Sequence, residues 1–385
     1  MTQEKHQKHT ALTKPQKGTF HRHEWAFLGA PCGKIQDLCR QLITHLQSDL
    51  QVAYVDADHQ EGSEQKDPFL HAGATLVCTD KIGYFRQDLQ ADPETLAYRN
   101  WFDEADLVLV NGNHFKAKRQ IVLVDPKKED SLKRKLDRLT QIDAIVLTEG
   151  QQTIFPFLRD HLQGQEVPIV HLNQPDQIAA IILNHYRQSI PPLYGLVLAG
   201  GMSRRMGTDK GLIEYHGKPQ RTYVAELIAP FCEKTFISCR PDQVKDLSEE
   251  AFPPLEDTFT GLGPFGAIAS AFRSQPNAAW LVVACDLPLL GTTGIQQLVT
   301  QRNPSKIATA FNSPVNAFPE PLVAIWEPRS YPALLQFLAL GYACPRKVLI
   351  NTPIARIDIN RPDELSNVND PETFEKIMQQ LNNNP

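Results

Sequence analysis

Disulfide chemistry has little to work with in this chain. Its seven cysteines (Cys32, Cys39, Cys78, Cys232, Cys239, Cys285 and Cys344) are odd in number, and no two form CxxC. That argues against a disulfide frame or a zinc site and fits a reducing, cytoplasmic compartment. No apolar run approaches the roughly 18 residues that cross a bilayer, so no membrane partner is expected. The formal net charge is −5, which argues against a surface that coats nucleic acid. Internal repeats and low-complexity segments are missing. Residues 1–23 lack the apolar core of a secretory signal and read as a polar, basic, disordered tail.

What is present is a long alternation of strand and helix. The 385 residues, 42% of them hydrophobic, suffice for two domains with real cores. A first series starts at Glu24 and includes short apolar strands at 25–30, 51–55, 74–78, 107–110, 121–124, 144–147 and 167–171. Helical stripes fall at 34–50 and 175–187, with further helices expected at 91–100 and 130–139. Pro191 and Pro192 mark a boundary. A second series follows, with strands at 196–198, 234–239, 279–285, 307–311, 321–326 and 355–359. The expected division is therefore a tail at 1–23, a domain at 24–190 and a domain at 191–385. Strands alternating with helices predict three-layer α/β/α domains: a mostly parallel sheet in the first, a Rossmann-like mixed sheet in the second.

The most informative stretch is Leu196 to Leu212, LVLAGGMSRRMGTDKGL. Neither GxGxxG nor GxxxxGK[ST] occurs there. Gly200 and Gly201 follow a buried strand and let backbone N–H groups approach a ligand closely. Arg204, Arg205 and Lys210 add charge that meets phosphate. The stretch reads as a grip on a nucleoside triphosphate. Downstream, Asp257 precedes a turn built from Gly261, Gly263, Pro264 and Gly266. Asp286 follows the apolar strand that ends at Cys285. A carboxylate just past a parallel strand lies where open α/β sheets bind ligands, and a hard oxygen there suits Mg²⁺ on a phosphate. In the first half, Gly29-Ala-Pro-Cys-Gly33-Lys34-Ile35 has the setting of a phosphate loop. It has one residue too few between its glycines, and Ile35 replaces the metal-binding hydroxyl.

These motifs carry two resemblances. Residues 194–385 resemble the molybdenum cofactor guanylyltransferases of the MobA family through LAGGMSRRMGTDKGL, GPFGAI (263–268), CDLP (285–288) and NVNDPE (367–372). That resemblance implies a Mg²⁺-dependent transfer of GMP from GTP to the terminal phosphate of molybdopterin, with pyrophosphate leaving. Leu198, Ala199, Gly200 and Gly201 would hold the guanosine, and Asp257 would contact it. Arg204, Arg205 and Lys210 would neutralise the triphosphate. Asp286 would hold the metal, and Asn367 and Asn369 would face the pterin. Arg346 and Lys347 either meet the acceptor's phosphate or form a solvated basic turn, and Glu320 is a weak match within its segment. Residues 25–150 resemble MobB, the GTP-binding adaptor of the same synthesis, through the loop position, VAYVDADH (52–59), HAGATLVCTD (71–80) and ADLVLVNGNHFK (105–116). Asn111 replaces an acid of that family. The first domain is therefore expected to be a degenerate docking domain, or else an anion site through Gly29, Gly33 and Lys34. A receiving molybdoenzyme or chaperone would be the further partner. Transfer of a cytidylyl group or to a sugar phosphate, and a non-catalytic cofactor-delivery role, remain the alternative readings.

Overall fold

A computed structural model describes residues 19–57, 67–90, 101–199, 210–248, 250–316, 318–368 and 371–383. Contacts divide the chain between Ser189 and Ile190 into two compact units. The expected helix at 91–100 lies outside the described residues, as does most of the expected tail.

The first unit holds a six-stranded sheet. Its strands are β1 (Glu24–Leu28), β2 (Val52–Val55), β5 (Leu107–Asn111), β6 (Arg119–Val124), β7 (Ile142–Leu147) and β8 (Ile169–His171), in the order β2-β5-β1-β6-β7-β8. All pairings are parallel. Every residue of β1, β5 and β7 is buried, as parallel strands covered on both faces require. Side chains alternate along β1. Trp25 and Phe27 join a cluster with Leu38 and Leu42 of helix Cys32–Leu46 and Ile178 and Ile182 of helix Pro175–Gln188. Leu28 packs the opposite way, with Leu132 and Leu158.

The second unit holds seven strands: β9 (Leu193–Leu198), β10 (Lys234–Cys239), β11 (Pro254–Glu256), β12 (Ala279–Ala284), β13 (Ala308–Asn312), β14 (Pro319–Trp326) and β15 (Ala355–Ile357). Their order is β11-β10-β9-β12-β14-β13-β15. The first four run parallel; β14 is antiparallel to both neighbours, so the sheet is mixed, as expected. Val197, Leu281 and Val283 bury one face against helices Gln220–Ile228 and Thr292–Thr300. Leu196, Trp280 and Val282 bury the other against helices Pro264–Ser274 and Ser330–Ala339. Both units are thus three-layer α/β/α structures.

Several expectations are corrected. The third strand, expected at 74–78 within the parallel series, spans Leu76–Asp80 (β3). It pairs antiparallel with an unanticipated β4 (Phe85–Leu89) in a separate hairpin. Its Thr79 and Asp80 pair with Arg86 and Phe85 across a short turn, a local closure that wins over insertion into the sheet. The charged helix expected at 130–139 is a short turn, Glu129–Lys133, followed by a 3-10 turn, Leu136–Arg138. Lys135 Nζ donates to the Asn113 carbonyl at 3.0 Å and Arg138 Nη1 to that of Gly112 at 3.0 Å. These tertiary bonds override a weak helical pattern. Helix Pro156–Leu162, between β7 and β8, was not anticipated.

Candidate active site

Four parallel strands of the second unit end at one edge, and their ends carry the site. Leu198 of β9 pairs with Ser238 of β10 on one side and Ala284 of β12 on the other. These three positions form a row. Asp257 lies one residue past β11, its N–H bonded to the Cys239 carbonyl at 2.9 Å. Its carboxylate accepts the Ser238 hydroxyl at 2.8 Å. Asp286 lies two residues past Ala284. Asp257 and Asp286 thus stand three strands apart, roughly 14 Å at about 4.8 Å per strand. That separation excludes one shared metal and suits the two ends of a nucleotide.

The two carboxylates sit in different electrostatic settings. Burial pushes the Asp257 carboxyl up to about 6, against the Ser238 hydrogen bond and the charge of Arg240. Burial also raises Asp286, against the charge of Lys210, with Glu320 adding to the rise. Lys210 Nζ lies 3.6 Å from Asp286 Oδ2 and donates to the Val368 carbonyl at 3.1 Å. The Val368 N–H in turn donates to the Asp286 carbonyl at 2.9 Å. Lysine, aspartate and the carboxy-terminal segment are therefore laced together. Burial and the Asp286 charge push the Tyr215 phenol beside them up to about 12, so it stays protonated.

The turn after Asp257 is rigid by construction. The Ser270 hydroxyl accepts the N–H groups of Thr258 at 2.8 Å and Phe259 at 3.0 Å and donates to the Gly266 carbonyl at 2.7 Å. A Cβ on Gly266 would come within 2.1 Å of the Phe259 carbonyl oxygen, so only glycine fits. Gly261, Gly263 and Gly266 have the spacing of a dinucleotide fingerprint, but their loop follows β11, an edge strand, where that motif needs a central one.

Asp286 opens onto a cleft of about 390 Å³, mouth included, lined also by Glu320, Pro321, Arg346, Leu365 and Asn367. Of the two basic residues Arg346 and Lys347, Arg346 lines this cleft. Lys347 instead sits over the Tyr342 ring at 4.6 Å. Gly200, Gly201, Arg204, Arg205 and Asn369 lie outside the described residues. Sequence reading missed Ser238, Ser270 and the Val368 carbonyl. Each acts by a side-chain or backbone hydrogen bond across the fold, which no local motif announces.

In the first unit, Lys34 Nζ is paired with Asp125 at 2.8 Å. Burial pushes the Asp125 carboxyl up, but the Lys34 hydrogen bond and charge and the Lys127 N–H outweigh it and hold it below the ordinary range. Asn111, fully buried at the end of β5, donates to Asp56 at 2.8 Å. Asp56 also accepts Tyr54, Gln36 and the Ala57 N–H; these bonds overcome its burial and keep it ionised.

Among the described residues no group of three or more His, Cys, Asp or Glu side chains is placed to hold a metal, and no helix is long and apolar enough to cross a membrane. Around Asp286 the carboxylates are Asp286 itself, beside Lys210, and Glu320, which is paired with Arg346. That fits Mg²⁺ ligated jointly by protein and substrate phosphates and does not fit a closed structural metal site.

A lysine–carboxylate pair and a glycine turn at the ends of the parallel strands of a mixed sheet stand where open α/β sheets bind ligands. The model of the MobA-like NTP transferase domain matches residues 195–354. The chain is 30% identical over 195 residues to a molybdenum cofactor guanylyltransferase of Shewanella sp. (strain MR-4), covering 95% of that protein and 49% of this one. It belongs to the molybdenum cofactor guanylyltransferase family. It is also 38% identical over 189 residues to a molybdenum cofactor biosynthesis bifunctional protein of Synechocystis sp.. That match takes in 48% of this chain and 54% of the relative, so the chain spans about half that relative's length. The crystal structure of Bacillus subtilis MobB aligns with 42% of the chain and 96% of its own length, at 16% identity and a TM-score of 0.32.

Proposed function

We propose that the second unit transfers GMP from GTP to the terminal phosphate of molybdopterin and releases pyrophosphate. The row of strand ends carries this reading. One buried carboxylate, Asp257, stands at one end, and the Lys210–Asp286–Val368 lacing stands at the other, opening onto the cleft. Leu198 and Ala199 lie between them and, with Gly200 and Gly201, would line the guanosine. Asp257 accepts a hydroxyl from Ser238 already, and as a carboxylate it can accept one from the nucleoside.

Lys210 supplies positive charge where pyrophosphate charge develops, with Arg204 and Arg205 as the further cations of that loop. Asp286 would hold Mg²⁺, which when bound neutralises the phosphates and polarises the reacting phosphorus. The acceptor would enter by the cleft past Asn367, with Asn369 on the same side. Its phosphate monoester has a second pKa of about 6 and is largely dianionic at pH 7, so it needs no protein base to become a nucleophile. What the chain must provide is alignment and charge.

The first unit reads as a docking domain. Its phosphate-loop lysine already has a carboxylate partner, and Asn111 stands where an acid would be needed. The deciding experiment incubates the full chain with Mg²⁺, molybdopterin and one of GTP, CTP, ATP or UTP, and follows dinucleotide and pyrophosphate. Dinucleotide from GTP alone is the expected result. Product from CTP would reassign the base, and no product from any nucleotide would sink the transfer reading.

A further inference from the structure

The acceptor cleft contains a contact that catalysis, as described, does not use. Arg346 Nη2 donates to Glu320 Oε2 at 2.9 Å. Both residues line the cleft beside Asp286 and Asn367. Topology brings them there. β14 runs antiparallel to β12, with Val283 opposite Val323 and Trp280 opposite Trp326. Glu320, on β14, and Asp286, just past the end of β12, both line the cleft. Arg346 comes from the short helix Pro345–Ile350, which packs Val348 and Leu349 into the core below.

The charges are poorly matched to an anionic acceptor. Glu320 and Asp286 are both acidic. Lys210 answers Asp286, and among the described residues that line the cleft Arg346 is the cation, already paired. The pairing is also incomplete: the Nε–H of Arg346 is buried without a hydrogen-bond partner. A buried donor left unmade costs free energy, and a guanidinium that turns onto a phosphate can recover it through paired N–H···O bonds. A single carboxylate offers less charge than a phosphate dianion, so the dianion can take its place where a monoanion cannot.

Resting on the proposed function, we propose that Glu320 sets the specificity of the acceptor cleft: it is a built-in counter-ion that holds Arg346 until a phosphate dianion displaces it. Glu320 then acts through Arg346, without touching the reacting phosphorus. Its effect is on which acceptor binds and how tightly, so it belongs in KM for the acceptor and not in kcat.

The test compares Glu320→Gln with the unaltered chain. Molybdopterin binding is measured by equilibrium dialysis without GTP. Methyl phosphate and dimethyl phosphate at pH 8 serve as competing probes, one a dianion and the other a monoanion. Removing the competing carboxylate should tighten molybdopterin about tenfold and lower its KM with kcat held within about twofold. It should also shrink the preference for methyl over dimethyl phosphate. Arg346→Gln should weaken molybdopterin and methyl phosphate together. If Glu320→Gln weakens acceptor binding or leaves it unchanged, Glu320 is a support for Arg346 and the proposal is wrong. Should the glutamine variant fail to fold, Glu320→Ala carries the same expectation. The unaltered chain binding molybdopterin without ever coupling it to GTP would refute the transfer reading and leave this comparison standing. Neither molybdopterin nor methyl phosphate sensing Arg346→Gln would remove the cleft and this proposal with it.

Discussion

Lys210 and Asp286 are joined at 3.6 Å. Burial raises the Asp286 carboxyl, so its ionised form is the less comfortable one in the folded chain. Asp286→Asn should therefore leave the melting temperature unchanged or higher while lowering kcat by 100-fold or more, on the order expected for a lost charge-stabilising group. A melting temperature that falls with the activity would show a structural residue instead. Lys210→Ala should lower kcat/KM for GTP by roughly 30- to 150-fold, about 2–3 kcal/mol of transition-state binding, and should weaken GTP binding in the same measurement. Asp257 adds a pH signature. Its folded value of about 6 exceeds its ordinary value of 3.8, so the folded chain holds more protons between the two. Stability from this residue is present below about 3.8 and is lost as pH rises through about 6. On the proposed reading binding runs the opposite way, because the ionised carboxylate is the stronger acceptor for a nucleoside hydrogen. GTP affinity should rise from pH 5 to 7 with an inflection near 6, and Asp257→Asn should flatten that profile.

Individual elements hold these groups in place through a few buried contacts. The turn from Asp257 to Gly266 depends on one serine and one glycine. Gly266→Ala must push back the Phe259 carbonyl oxygen, which lies within 2.1 Å of the added carbon. A cost of about 1–3 kcal/mol is expected, read as a lower denaturation midpoint, with weaker GTP binding because the turn carries Asp257. An unchanged midpoint would show that the turn relaxes freely. At the opposite end of the sheet, Arg302 pairs with Glu327 at 2.7 Å and also caps the Pro191 carbonyl at 2.9 Å. Glu327 is only 1% exposed. Arg302→Ala strands that charge and should cost about 3–5 kcal/mol, visible as a large drop in midpoint with no specific change in KM.

At the scale of the whole chain, the two units have separate sheets and separate cores, divided between Ser189 and Ile190. We propose that they fold and bind independently. Heating should then produce two transitions, and GTP with Mg²⁺ should raise the second unit's alone, since a ligand stabilises only the state that binds it. A shift in the first transition would show that the Lys34 loop binds nucleotide despite Asp125. If the proposed reaction holds, tethering would raise the local concentration of an intermediate that both units handle. A fragment of residues 190–385 that matures cofactor as well as the full chain would remove that reason for the fusion.

Local sequence was enough for much of this. The apolar strands and helical stripes declare two α/β series, because buried parallel strands and amphipathic helices carry their periodicity in a few adjacent residues. Leu196 to Leu212, Asp257 and Asp286 are open to reading as a candidate nucleotide site for the same reason: each motif follows directly on a strand. Other features depended on distant partners. Hairpin closure took Leu76–Asp80 out of the main sheet, and carbonyls at Gly112 and Asn113 broke the helix expected at 130–139. The antiparallel insertion of β14 set Glu320 beside Asp286. A helix some twenty residues later brought Arg346 to meet it. No periodicity records those meetings, because they depend on strand register and on which elements pack together, and only the folded chain decides both.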